Sequence, residues 1–175
     1  MQSSSKNLSE IKRRFKEVLK DKTVWDVIIF GSAIKGKALP GDIDAAIISD
    51  KQDLKVEGAH VSIVSPRDFF GKVPTIITTL IREGFSLRQD KSLSECWRFN
   101  SGVLFSYQLS GLDNSKKVKV VNALRGKGER GTVAEKGGEW ISQGVFVVPV
   151  NAEHIFDGFF RNFGIKYKKR FVLMH

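Results

Sequence analysis
Three short apolar runs rich in β-branched residues crowd into the first 65 positions of the chain, each bounded by turn-forming residues. Residues 24–30 run into Gly31-Ser32, residues 43–48 follow Pro40-Gly41, and residues 60–65 lie between Gly58 and Pro66. Runs of that length suit buried strands, so the N-terminal part must build a sheet. Helices flank them. Leu8, Ile11, Phe15, Val18 and Leu19 fall at helical spacing behind a Ser-rich start able to cap the helix. Pro74 opens a second helix carrying Ile76, Ile77, Leu80 and Ile81, with Gly84 placed to stop it.

Residues 85–100 show no clean period and are expected to be irregular, with a short strand at 97–99. Residues 103–109 read as extended, and 115–124 as a helix with Val118, Val121, Ala123 and Leu124 available for packing. The glycines from Gly126 to Gly144 suggest turns between short strands, and 145–150 is a further strand. A last helix over 152–163 offers the stripe Ile155, Phe156, Phe159, Phe160 and Phe163, with Gly164 as its C-terminal cap. The order predicts an α/β or α+β protein built on a small mixed sheet and followed by a smaller α+β lobe. The expected domains are 1–109 and 110–175.

With 41% apolar residues in 175, the chain can form a core without staples. Its single cysteine, Cys96, excludes an intramolecular disulfide framework and a zinc site of several thiolates, and it suits a reducing compartment. No apolar run approaches the ~20 residues of a spanning helix, and Met1-Gln2-Ser3-Ser4-Ser5 is no signal peptide. A cytoplasmic protein without a membrane partner is expected. The 29 Lys and Arg residues outnumber the 19 Asp and Glu, giving a formal charge of +10 that attracts polyanions. The surplus is clustered: Lys12, Arg13, Arg14, Lys16, Lys20 and Lys22; then Lys116, Lys117, Lys119, Arg125, Lys127 and Arg130; then Lys166, Lys168, Lys169 and Arg170.

The chemistry-bearing stretch is Phe30-Gly31-Ser32-Ala33 followed by Gly41-Asp42-Ile43-Asp44. A strand ending in Gly-Ser turns sharply and presents amides and the Ser32 hydroxyl to a phosphate oxygen. Asp42 and Asp44 lie two apart on a predicted strand, so both carboxylates project from one face while Ile43 points to the core. Converging carboxylates repel unless a cation joins them, and hard oxygen ligands favour Mg²⁺ or Mn²⁺. Beside a phosphate-binding turn, that pattern suits metal-assisted phosphoryl or nucleotidyl transfer. Read blandly, Asp42 would cap a turn and Asp44 would be a solvated edge residue.

Gly31-Ser32 followed by Asp42-x-Asp44 on the next strand resembles the signature of the nucleotidyltransferase superfamily, which includes DNA polymerase beta, CCA-adding enzymes and minimal nucleotidyltransferases. The resemblance implies that Ser32, beside Gly31, contacts the triphosphate and that Asp42 and Asp44 hold two metal ions. Further on, Gln108-Leu109-Ser110-Gly111 with Lys116, Lys117 and Asn122-Ala123-Leu124 is similar to the palm-to-thumb link of family X DNA polymerases. There a basic helix lies under the nucleotide sugar and base, which assigns Ser110, Gly111 and Lys116 to the nucleotide. Glu153-x-Ile155-Phe156-Asp157 and Tyr167-Lys168-Lys169-Arg170 are similar to the close of those thumbs. Lys117, Lys119, Arg125, Lys127 and Arg130, with Lys168, Lys169 and Arg170, are then candidates for a nucleic acid backbone.

The pattern departs from the family in three respects. Gln108-Leu109 replaces the aromatic pair that selects the sugar, leaving dNTP and NTP both open. The DNA-end-binding domain that precedes the palm in larger members is not expected here. The third carboxylate, which acts on the attacking hydroxyl, is missing from its natural strand, where Ser62 stands in its place and His60 shares its face. A second alignment places that strand beside 103–107, a run also without an acid, and Asp68, Glu57 and Glu95 are the remaining candidates.

Trp25, Trp97 and Trp140 are expected first as packing anchors and second as base-stacking platforms. Cys96 is expected as a packed thiol, and His154 and His175 do not make a histidine metal site. The resulting expectation is a metal-dependent nucleotidyltransferase moving a nucleoside monophosphate from NTP or dNTP to a hydroxyl, a DNA or RNA 3′ end. The alternatives are a weakly active or inactive nucleic-acid-binding module on the same fold, and an antitoxin-like minimal nucleotidyltransferase with a helical partner.

Overall fold
A computed structural model describes residues 2–34, 43–71 and 74–175, with side chains from residue 8 onward. The chain divides into two compact units, Met1–Phe99 and Asn100–His175. The division falls at 99/100 where 109/110 was expected, because the strand over Asn100–Gln108 pairs only with strands that follow it. Among the described residues the protein is mixed α and β, with seven α-helices and two sheets. None of those helices is long and apolar enough to cross a membrane.

In the first unit, α1 (Gln2–Arg14) and α2 (Lys16–Lys20) lead into β1 (Val24–Phe30). The Ser-rich start lies inside α1 instead of capping it, and the helical run is interrupted at Phe15, whose ring is fully buried. After β2 (Ile43–Ser49) and β3 (Ala59–Val64) come α3 (Thr75–Glu83), β4 (Phe85–Ser86), β5 (Lys91–Ser92) and α4 (Leu93–Cys96). Pro74 and Gly84 bound α3 as expected. No strand forms at 97–99: Trp97 closes α4, and the Phe99 amide returns to the Ser94 carbonyl at 2.9 Å.

The five strands stand in the order β3-β2-β1-β4-β5, with β2 and β3 parallel and the other neighbours antiparallel. Strand alternation sorts the side chains onto two faces. Val27, Ile29, Ile43, Ala45 and Ile47 pack against Ile11 and Phe15 from the N-terminal helices. Ile28, Ala46, Ile48 and Val64 pack against Ile77 and Leu80 of α3. Helices on both faces explain the continuous apolar run of β2.

The second unit is a four-stranded antiparallel sheet, backed by helices. It comprises β6 (Asn100–Gln108), α5 (Asn114–Arg125), α6 (Thr132–Glu135), β7 (Glu139–Ser142), β8 (Val145–Pro149), α7 (Glu153–Asn162) and β9 (Lys166–Met174), the strands ordered β7-β8-β6-β9. The glycine-rich stretch thus contains the helical turn α6 as well as turns and a strand, and Gly164, at φ +64°, caps the end of α7. Phe105 sits at the centre of an aromatic core, its centroid 5.4 Å from Phe146, 5.7 Å from Phe156, 5.8 Å from Phe160 and 5.9 Å from Tyr167. Truncating a fully buried ring removes its transfer free energy and leaves a cavity. Phe105→Ala is expected to destabilise the second unit by about 3–5 kcal/mol in urea unfolding, the near-ultraviolet aromatic signal reporting the loss.

Candidate functional site
The register of the first sheet places Phe30, the last residue of β1, opposite Asp44 on β2 and sets His60 of β3 beside Asp44 on the other side. Beyond Phe30 the chain enters a 3₁₀ turn over Gly31–Ala33. Gly31 holds φ at +72°, and a Cβ on it would stand 2.8 Å from Asp44 Oδ2. Both conditions select glycine: the left-handed backbone and the carboxylate resting against the turn. Ser32 is the middle residue of that turn and is half-buried.

Asp44 shares its face with Ala46 and Ile48, which α3 covers, yet its own side chain stays 41% exposed. The face opens at this strand end. His60 Nδ1 lies 3.9 Å from Asp44 Oδ1, and Ser62, in register with Ala46, is exposed on the same face. A half-exposed carboxylate at an open strand end fits one ligand position of a hard divalent cation. Asp42, the second expected ligand, and the Pro40-Gly41 turn lie outside the described residues.

β3 contributes no carboxylate, and among the described residues no three His, Cys, Asp or Glu side chains gather at one point. Two of the remaining candidate acids are used elsewhere. Asp68 accepts the Ser65 amide at 3.1 Å in a capping box, and Glu95 accepts the Ser92 amide at 2.8 Å and hydroxyl at 2.7 Å in another. The Ser92 hydroxyl and amide hold the Glu95 carboxyl below its usual range. Glu57 lines a hollow with Arg14, Val56 and Gly58. The 103–107 run belongs to β6, whose neighbours are β8 and β9.

Ser110, Gly111 and Lys116 belong to the second unit, where Ser110 and Gly111 form the exposed turn after β6 and Gly111 holds φ at +101°. Asp113 caps α5 by accepting the Lys116 amide at 2.8 Å, and its carboxylate stands 3.6 Å from the Lys116 ammonium. Lys117 on α5 is half-buried, whereas Lys119 on the same helix, and Lys127 and Arg130 beyond it, are exposed. Arg125 is engaged, its guanidinium 3.8 Å over the Trp140 ring, so Trp140 serves packing as expected. Trp25 and Trp97 depart from that expectation, with 66% and 44% of their surfaces exposed.

β9 separates its cations by strand alternation. Lys168 and Arg170 are exposed on one face, while Lys169 turns to α7 and bonds Glu153 at 2.5 Å and Asp157 at 2.6 Å. Burial alone would raise the Asp157 carboxyl, but the Lys169 and Tyr167 hydrogen bonds outweigh it and hold the group below its ordinary value. Burial likewise opposes charge on Lys169, and the two carboxylates override it and raise the ammonium. Lys169 is therefore a structural ion-pair residue.

Comparison with protein-family models, with curated proteins and with solved structures returned no match.

Two predictions follow from this geometry. Gly31→Ala is expected to cost roughly 1–2 kcal/mol from the left-handed backbone alone, more with the carboxylate contact. Adding Asp44→Ala should recover the contact part, read as non-additivity in a double-mutant cycle of denaturation midpoints. For Lys169 the signs oppose. The raised lysine contributes stability below its ordinary 10.5 that is lost as pH climbs through its folded value. The lowered Asp157 contributes above its ordinary 3.8 and loses that as pH falls. Lys169→Met should thus lower stability by about 1 kcal/mol between those limits, since the lysine is a third exposed and screened, and flatten the melting-temperature profile at both ends.

Proposed function
We propose that the protein is a nucleotidyltransferase of the DNA polymerase beta type, moving a nucleoside monophosphate from a nucleoside triphosphate to a nucleic acid 3′ hydroxyl. The observation that carries this reading is Asp44 seated against the Gly31 turn at the open end of β2. In this assignment the first unit is the palm and the second the thumb. Asp42 and Asp44 would hold Mg²⁺ or Mn²⁺, an ion that offsets negative charge on the triphosphate and on the leaving pyrophosphate.

The chain's own residues supply the rest. The Gly31-Ser32 turn offers an amide and a hydroxyl to phosphate oxygens, and glycine at 31 keeps the backbone close to the carboxylate it serves. Within the second unit, Ser110, Gly111 and Lys116 keep only the role that the resemblance gives them, and Lys117, Lys119, Lys127, Arg130, Lys168 and Arg170 would neutralise backbone phosphates. Arg125 is stacked on Trp140 and Lys169 is paired with Glu153 and Asp157, so of the cations expected at the phosphates these two already have partners within the second unit.

A second reading, nucleotide and nucleic acid binding without efficient transfer, is favoured by one observation: β3 presents His60 and Ser62 beside Asp44 and no carboxylate. General-base assistance is worth about 10²- to 10⁴-fold, so its loss leaves slow turnover. Incorporation of labelled nucleotide into DNA, RNA and protein acceptors with Mg²⁺ or Mn²⁺ separates the readings. Transfer should fall by a factor on the order of 10² or more in Asp44→Asn, and rise by a factor on the order of 10² in Ser62→Asp. Undiminished transfer in Asp42→Asn plus Asp44→Asn overturns the site, and nucleotide binding with no transfer even in Ser62→Asp establishes the binding reading.

A further inference from the structure
The far end of the same sheet face carries a second feature, which the transfer chemistry does not use. A groove of about 470 Å³ opens there in the first unit, floored by Ile28, Ile48 and Leu93 and rimmed by Trp25, Phe69, Phe70 and Trp97. Its volume lies in the range of small-ligand pockets. The rings are presented to solvent: Phe70 is 94% exposed, and Phe69 braces Trp97 edge-on with centroids 6.0 Å apart.

The exposure of Trp25 is built into the fold. β1 pairs Val24 with Ser49 and Asp26 with Ile48, so Trp25 is the extra residue of a β-bulge and faces no partner across the ladder. Bulges re-aim a side chain, and this one is fixed from behind. Arg88 donates from Nε to the Trp25 carbonyl at 2.8 Å and from Nη2 to the Leu19 and Val24 carbonyls at 2.9 and 3.0 Å.

The charges on the surrounding elements are asymmetric. The carboxylates are spent internally. Asp26 accepts the Val27 amide at 2.7 Å, the Arg88 amide at 3.2 Å and the Ser86 hydroxyl at 2.5 Å, and Asp68 and Glu95 are the capping acids described above. Arg67, Lys91 and Arg98 are exposed, and no side-chain hydrogen bond or ion pair ties them to another described residue. Lys91 lines the groove itself. A surface of open aromatic faces with exposed cations, its acids already engaged by local hydrogen bonds, complements a ligand that is flat, apolar on its faces and anionic at its edge.

We infer that this groove binds the unpaired bases of a single-stranded nucleic acid, which stack on Trp25, Phe70 and Trp97 while Arg67, Lys91 and Arg98 meet the phosphates. Aromatic platforms beside cations are the general means of holding single strands irrespective of sequence. A duplex keeps its base faces stacked inside and cannot offer them to these rings. An apolar protein helix would leave the cations unmatched. The inference stands apart from the transfer reading, and its test excludes transfer.

The experiment is fluorescence anisotropy with labelled mixed-sequence DNA and RNA single strands and the matching duplexes, in EDTA and without nucleotide. Single strands should bind more tightly than duplex, and Trp25→Ala, Phe70→Ala and Trp97→Ala should each weaken binding roughly tenfold. Ile141→Ala, exposed in the second unit, should leave it unchanged. Lys91→Ala should flatten the slope of log affinity against log salt by about 0.7. Thermal melts check that each variant folds. Photocross-linking of wild-type protein to an iodouracil-substituted strand, with adducts expected at Trp25, Phe70 or Trp97, covers any that does not. Single-strand binding that survives all three aromatic changes, equal affinity for duplex, or adducts confined to the second unit would overturn the inference. So would self-association abolished by Phe70→Ala, which assigns the face to a second copy of the chain.

Discussion

Every residue of β2 is buried except Asp44. A carboxylate is tolerated on such a strand only where the cover ends, because burying it unpaired would cost several kcal/mol or drive it neutral. The register that puts Phe30 opposite Asp44 is held by the two apolar sets of β2, Ile43, Ala45 and Ile47 on one face and Ala46 and Ile48 on the other. A slip of one residue would send Asp44 beneath the N-terminal helices and bring Ala45 to the open end, so the core itself decides where the charge stands. Gly31 completes the arrangement by leaving the carboxylate the space a side chain would fill.

The second unit solves a related problem with the opposite sign. β9 is an edge strand whose Tyr167 packs against the aromatic core, yet the alternation that sends Tyr167 to that face sends Lys169 with it. An ammonium there needs partners, and α7 provides Glu153 and Asp157. Lys168 and Arg170 keep the exposed face. Three consecutive cations therefore divide into one structural residue and two free charges, a division made by the two-residue period of a strand. The same cations discourage pairing of this edge with another chain.

How much was legible follows from how local each signal is. The ends of β1, both bounds of α3 and the glycine stop after α7 are written in adjacent residues and agree with the structure. β9 was not anticipated, because Lys166-Tyr167-Lys168-Lys169-Arg170 breaks strict alternation at Lys169, and the compensating acids lie on another element. The division at 99/100 is illegible for the same reason: by sequence β6 reads as the close of the first sheet, and only its long-range partners β8 and β9 place it in the second unit. The turn of helix at Leu93–Cys96 is legible in Ser92-x-x-Glu95, a capping box written in adjacent residues. At the site, Gly31 and Asp44 were recognisable from spacing. That Trp25 faces outward was not, because a bulge is a property of two strands together.

The first sheet thus carries two contrasting ends on one face. At one, a carboxylate stands beside a glycine turn; at the other, rings and exposed cations surround a groove floored by Ile28 and Ile48; between them Ala46 is buried against α3. From Phe30 to Asp26 the strand advances four residues, about 13 Å at ~3.3 Å per residue. Neither end can intrude on the other, because α3 occupies the middle. A single strand stacked at the aromatic end, as inferred above, would draw on no residue of the carboxylate end. The bulge at Trp25, the Arg88 hydrogen bonds and the Phe69–Trp97 contact hold the aromatic end without using Asp44 or Gly31, so a change at the carboxylate end should leave that mounting intact.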